Sequence, residues 1–210
     1  RRLNPDVVAL QEVDQVVERS GHVDETAKLA ELAGLQHAAF GSFFDYQGGQ
    51  YGMAIISRHP LSDVKNLRLP DGAEPRTSLV ATVRTPSPFR LANVHFYRTE
   101  SERLAQANKL LEYLRQSKLP CIVAGDFNSQ PNTNVLEQFS EFKIPDKGDD
   151  HFTFSSDRPR VEIDFIMHHP RDHFQLQEID VIDEPVASDH RPVSADYVLP
   201  SSLPQQTREQ

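Results

Sequence analysis

The sequence predicts an α+β fold in which two β-sheets pack together with helices outside. Three observations predict it. Strand-like runs outnumber helical ones, they alternate with helices only in part, and several are unbroken apolar stretches of the kind buried on both faces. At 210 residues the chain can fill one sizeable core. No linker composition interrupts it. Residues 1–199 therefore read as a single domain, and 200–210, with two prolines among mostly polar residues, as a flexible tail.

Asn4-Pro5 is a turn, and the apolar run behind it makes residues 6–13 a buried strand with Glu12 at its far end. Residues 24–32 are helical, since Ala27, Leu29, Ala30 and Ala33 share a side and Gly34 supplies a stop. Gly48-Gly49 marks a turn before a strand at 53–57, which His59-Pro60 ends. Residues 78–84 and 90–95 are strands joined as a hairpin, because the prolines of Thr85-Pro86-Ser87-Pro88 cannot donate to a central ladder. The clearest helix spans 101–116: Thr99 and Glu102 have capping-box spacing, and Leu104, Ala107, Leu111 and Leu114 recur on one face. After Pro120, residues 121–124 form a short buried strand, and a helix follows Pro131 at 133–139. Residues 145–150 are a polar loop, 162–167 and 192–198 are the last strands, and His168-His169 is a solvated turn before Pro170.

Charge narrows the function. A formal net charge of −9 opposes strong non-specific attraction to DNA, and no Lys/Arg-rich tract offsets it. Small-molecule phosphates or lipid headgroups fit this balance better than nucleic acid, which stays open because bound metal can neutralise part of the acidity. Cys121 is the only cysteine, so no intramolecular disulfide can form. The lone thiol suits a reducing, cytoplasmic location, and its neighbours Ile122, Val123 and Ala124 make it an inert core residue. No run of about 18 apolar residues exists to span a membrane as a helix. The chain opens Arg1-Arg2-Leu3 without Met, so the lack of a visible export signal carries no weight.

Several strand ends carry groups that are costly to bury unpaired. Glu12 can offer a carboxylate to Mg²⁺ or Mn²⁺; its alternative reading is a solvated strand end. Asp126 and Asn128, two apart on an extended segment, project to one side, where a carboxylate can orient water and an amide can donate to a phosphate oxygen. The same residues also suit an Asx turn after the strand. His190 needs a carboxylate to fix its tautomer, and Asp164, in the apolar setting of Ile163 and Phe165-Ile166-Met167, is the obvious partner, although a structural salt bridge would also explain it. His95 closes a strand and could donate to phosphate, or be an ordinary surface histidine. Arg76, in a loop after Glu74-Pro75, is a phosphate clamp or a surface ion pair. The remaining histidines lack zinc-like spacing.

Taken in order, Gln11-Glu12, Gly52-Met53-Ala54-Ile55-Ile56-Ser57-Arg58, Asn93-Val94-His95, Gly125-Asp126-Phe127-Asn128, Ile163-Asp164-Phe165-Ile166 and Ser188-Asp189-His190-Arg191-Pro192 strongly resemble the endonuclease/exonuclease/phosphatase superfamily, also called DNase I-like. The resemblance covers about residues 4–198. It implies a four-layer α/β/β/α sandwich: two mixed β-sheets face to face, outer helices, and an active site at one rim. It implies Glu12 as principal metal ligand, Asp189 as a metal-site or supporting acid, Asp126 and Asn128 as the pair that positions water and phosphate, His190 as catalytic histidine partnered by Asp164, and His95 as a phosphate-binding histidine. Two departures stand out. The superfamily usually opens with a strand carrying a metal-supporting Asn, whereas only eleven residues precede Glu12, so the expectation is a truncated chain or a site lacking that group. Many members also carry an Asp soon after the Asn-x-His motif, where this chain has Phe96-Tyr97-Arg98.

The resulting expectation is a Mg²⁺- or Mn²⁺-dependent phosphoric ester hydrolase, foremost a phosphodiesterase acting on a small-molecule or lipid-headgroup phosphoester. A DNA endonuclease or exonuclease of the same superfamily is one alternative, and a non-catalytic binding module that kept the fold is another.

Overall fold

A computed structural model describes residues 3–169 and 174–199. The expected tail at 200–210 lies outside the described residues. The elements run β1 (Val7–Gln15), α1 (Glu25–Ala33), β2 (His37–Tyr46), β3 (Gly49–Ser57), β4 (Leu61–Arg68), β5 (Thr77–Val83), β6 (Phe89–His95), α2 (Glu100–Leu114), β7 (Cys121–Asp126), α3 (Asn134–Glu137), β8 (Asp164–His168), β9 (Gln175–Val181) and β10 (Val193–Val198).

Three strands form an antiparallel sheet in the order β1-β3-β2. Five form a second sheet, β4-β5-β6-β7-β8, antiparallel except for the parallel pair β6-β7. A parallel pair needs a long crossover, and α2 supplies it. Two mixed sheets were expected; among the described residues only the larger is mixed, and β9 and β10 form a separate antiparallel ladder beside β8.

Burial separates the layers. Strand side chains alternate between faces, so a strand buried on both sides feeds two cores. Ile122 and Ala124 of β7 join Met53, Ile55, Leu79 and Leu91 between the sheets. Val123, one residue out of phase, joins Val80, Val94, Leu110 and Leu111 beneath α2. On the far side, Ala30 and Leu35 of the α1 region cover Ile56. The order is thus α1, small sheet, large sheet, then α2 with α3.

The helix signals hold for simple reasons. Thr99 accepts from the Glu102 amide while the Glu102 carboxylate accepts from the Thr99 amide at 2.7 Å, closing both ends of the capping box. Gly34 takes the left-handed conformation, φ 75°, that ends α1. Three strands were not anticipated, namely β2, β4 and β9. His168, expected in a solvated turn, is instead the buried last residue of β8, and its Nδ1 lies 3.2 Å from the Tyr197 hydroxyl. The β10 strand covers it, a tertiary contact that the local Pro170 signal could not reveal.

Candidate active site

The ends of β6 and β7 and the start of β8 meet at one rim. Parallel pairing sets His95 beside Asp126, and antiparallel pairing sets Asp126 opposite Asp164. Asp126 and Asp164 are therefore neighbours because of sheet register alone. The turn leading into β10 brings His190 to the same place.

The Gly125-Asp126-Phe127-Asn128 run is explained position by position. Gly125 has φ 134°, and a Cβ there would stand 2.1 Å from the Val94 carbonyl oxygen and 3.1 Å from Gln11 Nε2, so neither the backbone nor the space admits a side chain. Phe127 is fully buried and packs edge-to-face on Phe96, Phe139 and Phe165, with ring centroids 5.4, 5.2 and 5.6 Å away. It anchors the loop from below. Asn128 then turns back, φ 47°, and its amide N–H donates to Asp126 Oδ1 at 2.6 Å. This is the Asx turn, not the extended segment that would project both side chains outward. The Asn128 Nδ2 donates to Asp126 Oδ2 at 3.1 Å and to the Phe96 carbonyl at 2.8 Å. Both amide hydrogens are engaged, so Asn128 holds Asp126 in place.

His190 Nδ1 lies 2.8 Å from Asp164 Oδ2. Burial alone would lower the histidine's pKa. The hydrogen bond and charge of Asp164, joined by the charges of Asp126 and Asp189, overcome this and raise it to about 9. Asp126 is pushed up to about 7, first by burial and then by the negative charge of Asp164. His95 Nε2 is 3.3 Å from Asp126 Oδ2, yet this is no ion pair. Burial, helped by the positive charges of Arg76 and His190, lowers the His95 pKa to about 3 and keeps the ring neutral. Its Nδ1 is buried without a hydrogen-bond partner, 3.9 Å from Glu12 Oε1.

Glu12 departs from its expected place. β1 continues past it to Gln15, and Glu12 sits on a bulge with φ 57°, where the register against β3 shifts. A bulge re-aims a side chain, and the Glu12 carboxylate is left 60% exposed. Of the two readings of Arg76, the surface ion pair is excluded, because the residue is 3% exposed. Its guanidinium lies 4.6 Å from the ring centres of both Phe43 and Tyr97, and Nη2 is 2.6 Å from Glu74 Oε1. That close approach to Glu74 is ionic, and Nε and Nη1 have no hydrogen-bond partner. Asp189 is exposed on the turn before His190, and its carbonyl accepts from the Ser156 amide at 2.7 Å.

One group at this rim was not anticipated. The Tyr51 hydroxyl interacts with both Glu12 and Arg76; burial, then the Glu12 charge, raises its pKa. A tyrosine is also a common strand residue, and only the β1–β3 register, which pairs Tyr51 with Asp14 just past the bulge, brings it here.

The model of the Endonuclease/Exonuclease/phosphatase family matches residues 1–190. The chain belongs to that family. YbhP of Escherichia coli K12, an uncharacterized protein, is 32% identical over 140 residues, 61% of this chain and 55% of that protein, so the match spans about half the length of this curated relative. A functionally unknown conserved protein from Enterococcus faecalis V583 superposes with a TM-score of 0.78 at 20% identity, over 95% of this chain and 87% of that one. The mannosyl-6-phosphatase Bt3783 of Bacteroides thetaiotaomicron superposes with a TM-score of 0.72 at 18% identity, over 94% and 87%. These likenesses establish the α/β/β/α sandwich of the family.

The donor set suits a hard cation. Among the described residues, ligand atoms of Asp126, Asp164 and His190 lie within 4.8 Å of one another. Asp164 and His190 already satisfy each other. The uncompensated acidity is at Glu12, exposed, and at Asp126, whose pKa is raised by burial and neighbouring negative charge. Carboxylate oxygens are the donors that Mg²⁺ and Mn²⁺ take.

Proposed function

We propose that this chain is a divalent-metal-dependent phosphohydrolase, foremost a phosphodiesterase, which cleaves a small-molecule or lipid-headgroup phosphoester by in-line attack of water. The observation that carries it is the Asp164–His190 hydrogen bond of 2.8 Å set beside Asp126 and His95 at one rim. Glu12 and Asp189 would hold Mg²⁺ or Mn²⁺, with Asp126 adjacent. A bound cation of this kind supplies Lewis-acid polarisation of the phosphoryl oxygen.

The residues divide the remaining work. Asp126, raised toward neutrality and fixed by Asn128, takes the proton of the attacking water. His190, held protonated at neutral pH by Asp164, donates to the phosphoryl group. Arg76, whose buried Nε and Nη1 have no hydrogen-bond partner, would stabilise the equatorial oxygens, and His95 beside it would bind the phosphate. The net charge of −9 favours a small phosphoester over nucleic acid, and a mannosyl-6-phosphatase shares the fold.

Hydrolysis of bis(p-nitrophenyl) phosphate tests the assignment. Asp126→Ala and His190→Ala are expected to lower kcat by about a hundredfold or more each, while both variants stay folded by circular dichroism. Near-normal turnover in both variants would refute it. Rapid, salt-sensitive nicking of plasmid DNA would replace the small phosphoester with a nucleic acid.

A further inference from the structure

Phe154 stands beside the reaction centre with a third of its surface open. Its ring centre is 4.9 Å from that of His190, tilted by 50°, and the residue is 36% exposed. Phenylalanine at that exposure is ordinary on a surface, but here the open ring borders the most polar cluster of the rim.

The backbone that carries the ring is also held firmly. Phe154 bridges both Val161 and His190 in short antiparallel contacts. Its carbonyl accepts from the Arg160 amide at 2.8 Å. On either side, the Arg191 amide donates to the Thr153 carbonyl at 2.7 Å, and the Ser156 amide to the Asp189 carbonyl at 2.7 Å. Arg191 Nε donates to the Ser156 carbonyl at 2.9 Å. The loop is thereby stitched to the segment that carries His190. The Thr153 hydroxyl reaches the other way, 3.3 Å from the Asp164 amide. An apolar surface fixed before the ligand arrives loses little freedom on binding, so the area it covers goes into affinity.

We propose that Phe154 is a specificity-determining residue: it forms a shelf on which an aromatic substituent of the phosphoester packs while the phosphate lies against His190. The proposal rests on the phosphohydrolase reading only for the position of the phosphate. A flat ring can lie on or edge against Phe154, an arrangement a small alkyl group cannot match.

Two phosphonates separate the shelf from the chemistry, because their P–C bond is not hydrolysed. Calorimetry in Mg²⁺ should find phenylphosphonate bound about tenfold more tightly than methylphosphonate. Phe154→Ala should bring the two within about twofold, and Phe154→Tyr should restore the preference. Equal affinities in the native chain, a preference that survives Phe154→Ala, or no binding of phenylphosphonate would overturn the shelf. Methylphosphonate binding without aryl preference sinks the shelf and leaves the hydrolase reading intact. A Phe154-dependent aryl preference in a protein that hydrolyses no phosphoester would sink the hydrolase reading alone.

Discussion

Asp126 and His190 both have raised pKa values, for different reasons. Burial and the Asp164 charge favour the neutral acid at Asp126, whereas the Asp164 hydrogen bond favours the charged imidazolium at His190. Between an ordinary histidine value of 6.5 and about 9, folded His190 keeps a proton that the unfolded chain releases. Its contribution to stability is therefore complete below 6.5 and is lost as pH rises through 9. In the metal-free protein, the melting temperature should fall between pH 7 and 9.5 by several degrees more than that of His190→Gln. Parallel pH curves for the two proteins would contradict this. Asp126 and Asp164 were legible in the sequence because each is a polar residue where an apolar run ends or is interrupted, and His190 because it stands just ahead of the last strand and needs a carboxylate partner. The setting of Glu12 was not: a bulge is a property of the β1–β3 pair, and a reading of β1 alone leaves Glu12 at a strand end. The burial of Arg76 was hidden for the same reason. It comes from Phe43 and Tyr97, far apart in sequence.

At the scale of elements, the rim depends on how closely β6 and β7 approach the small sheet. Gly125 leaves room for the Gln11 side chain of β1, whose Nε2 lies 3.1 Å from where a Cβ would stand, and Asn93 fastens the approach. Asn93 Nδ2 donates to the Leu10 carbonyl at 2.8 Å and the Ala54 carbonyl at 3.0 Å, while its Oδ1 accepts from Gln11 Nε2 at 2.6 Å. A fully buried side chain thus ties β6 to β1 and β3 across the sandwich. Gly125→Ala should cost about 3 kcal/mol or more, from strained φ and collision with the Val94 carbonyl. Urea unfolding measures it, and a loss under about 0.5 kcal/mol would contradict the account. The elements read correctly from sequence are those with local signals, such as the capping box of α2 and the buried runs of β3 and β7. β4 was hidden because Asp63, Val64, Lys65 and Asn66 are all exposed and a register shift breaks the alternation. β9 is an exposed partner of β10, shaped by that pairing rather than by an apolar face.

The whole molecule carries a net charge of −9, and the buried Arg76 and partly buried His190 stand at the rim. Arg76 and His190 lie among Glu12, Glu74, Asp126, Asp164 and Asp189, so the local balance is negative, and a cation relieves it. No helix among the described residues is long and apolar enough to cross a membrane. The direct measurement is turnover of bis(p-nitrophenyl) phosphate by chelator-stripped protein during back-titration with Mg²⁺ or Mn²⁺. The account predicts no turnover without metal, saturable recovery with it, and a half-saturating metal concentration raised at least about tenfold by Glu12→Gln. Turnover that ignores the chelator, or a titration that Glu12→Gln leaves unmoved, would contradict it.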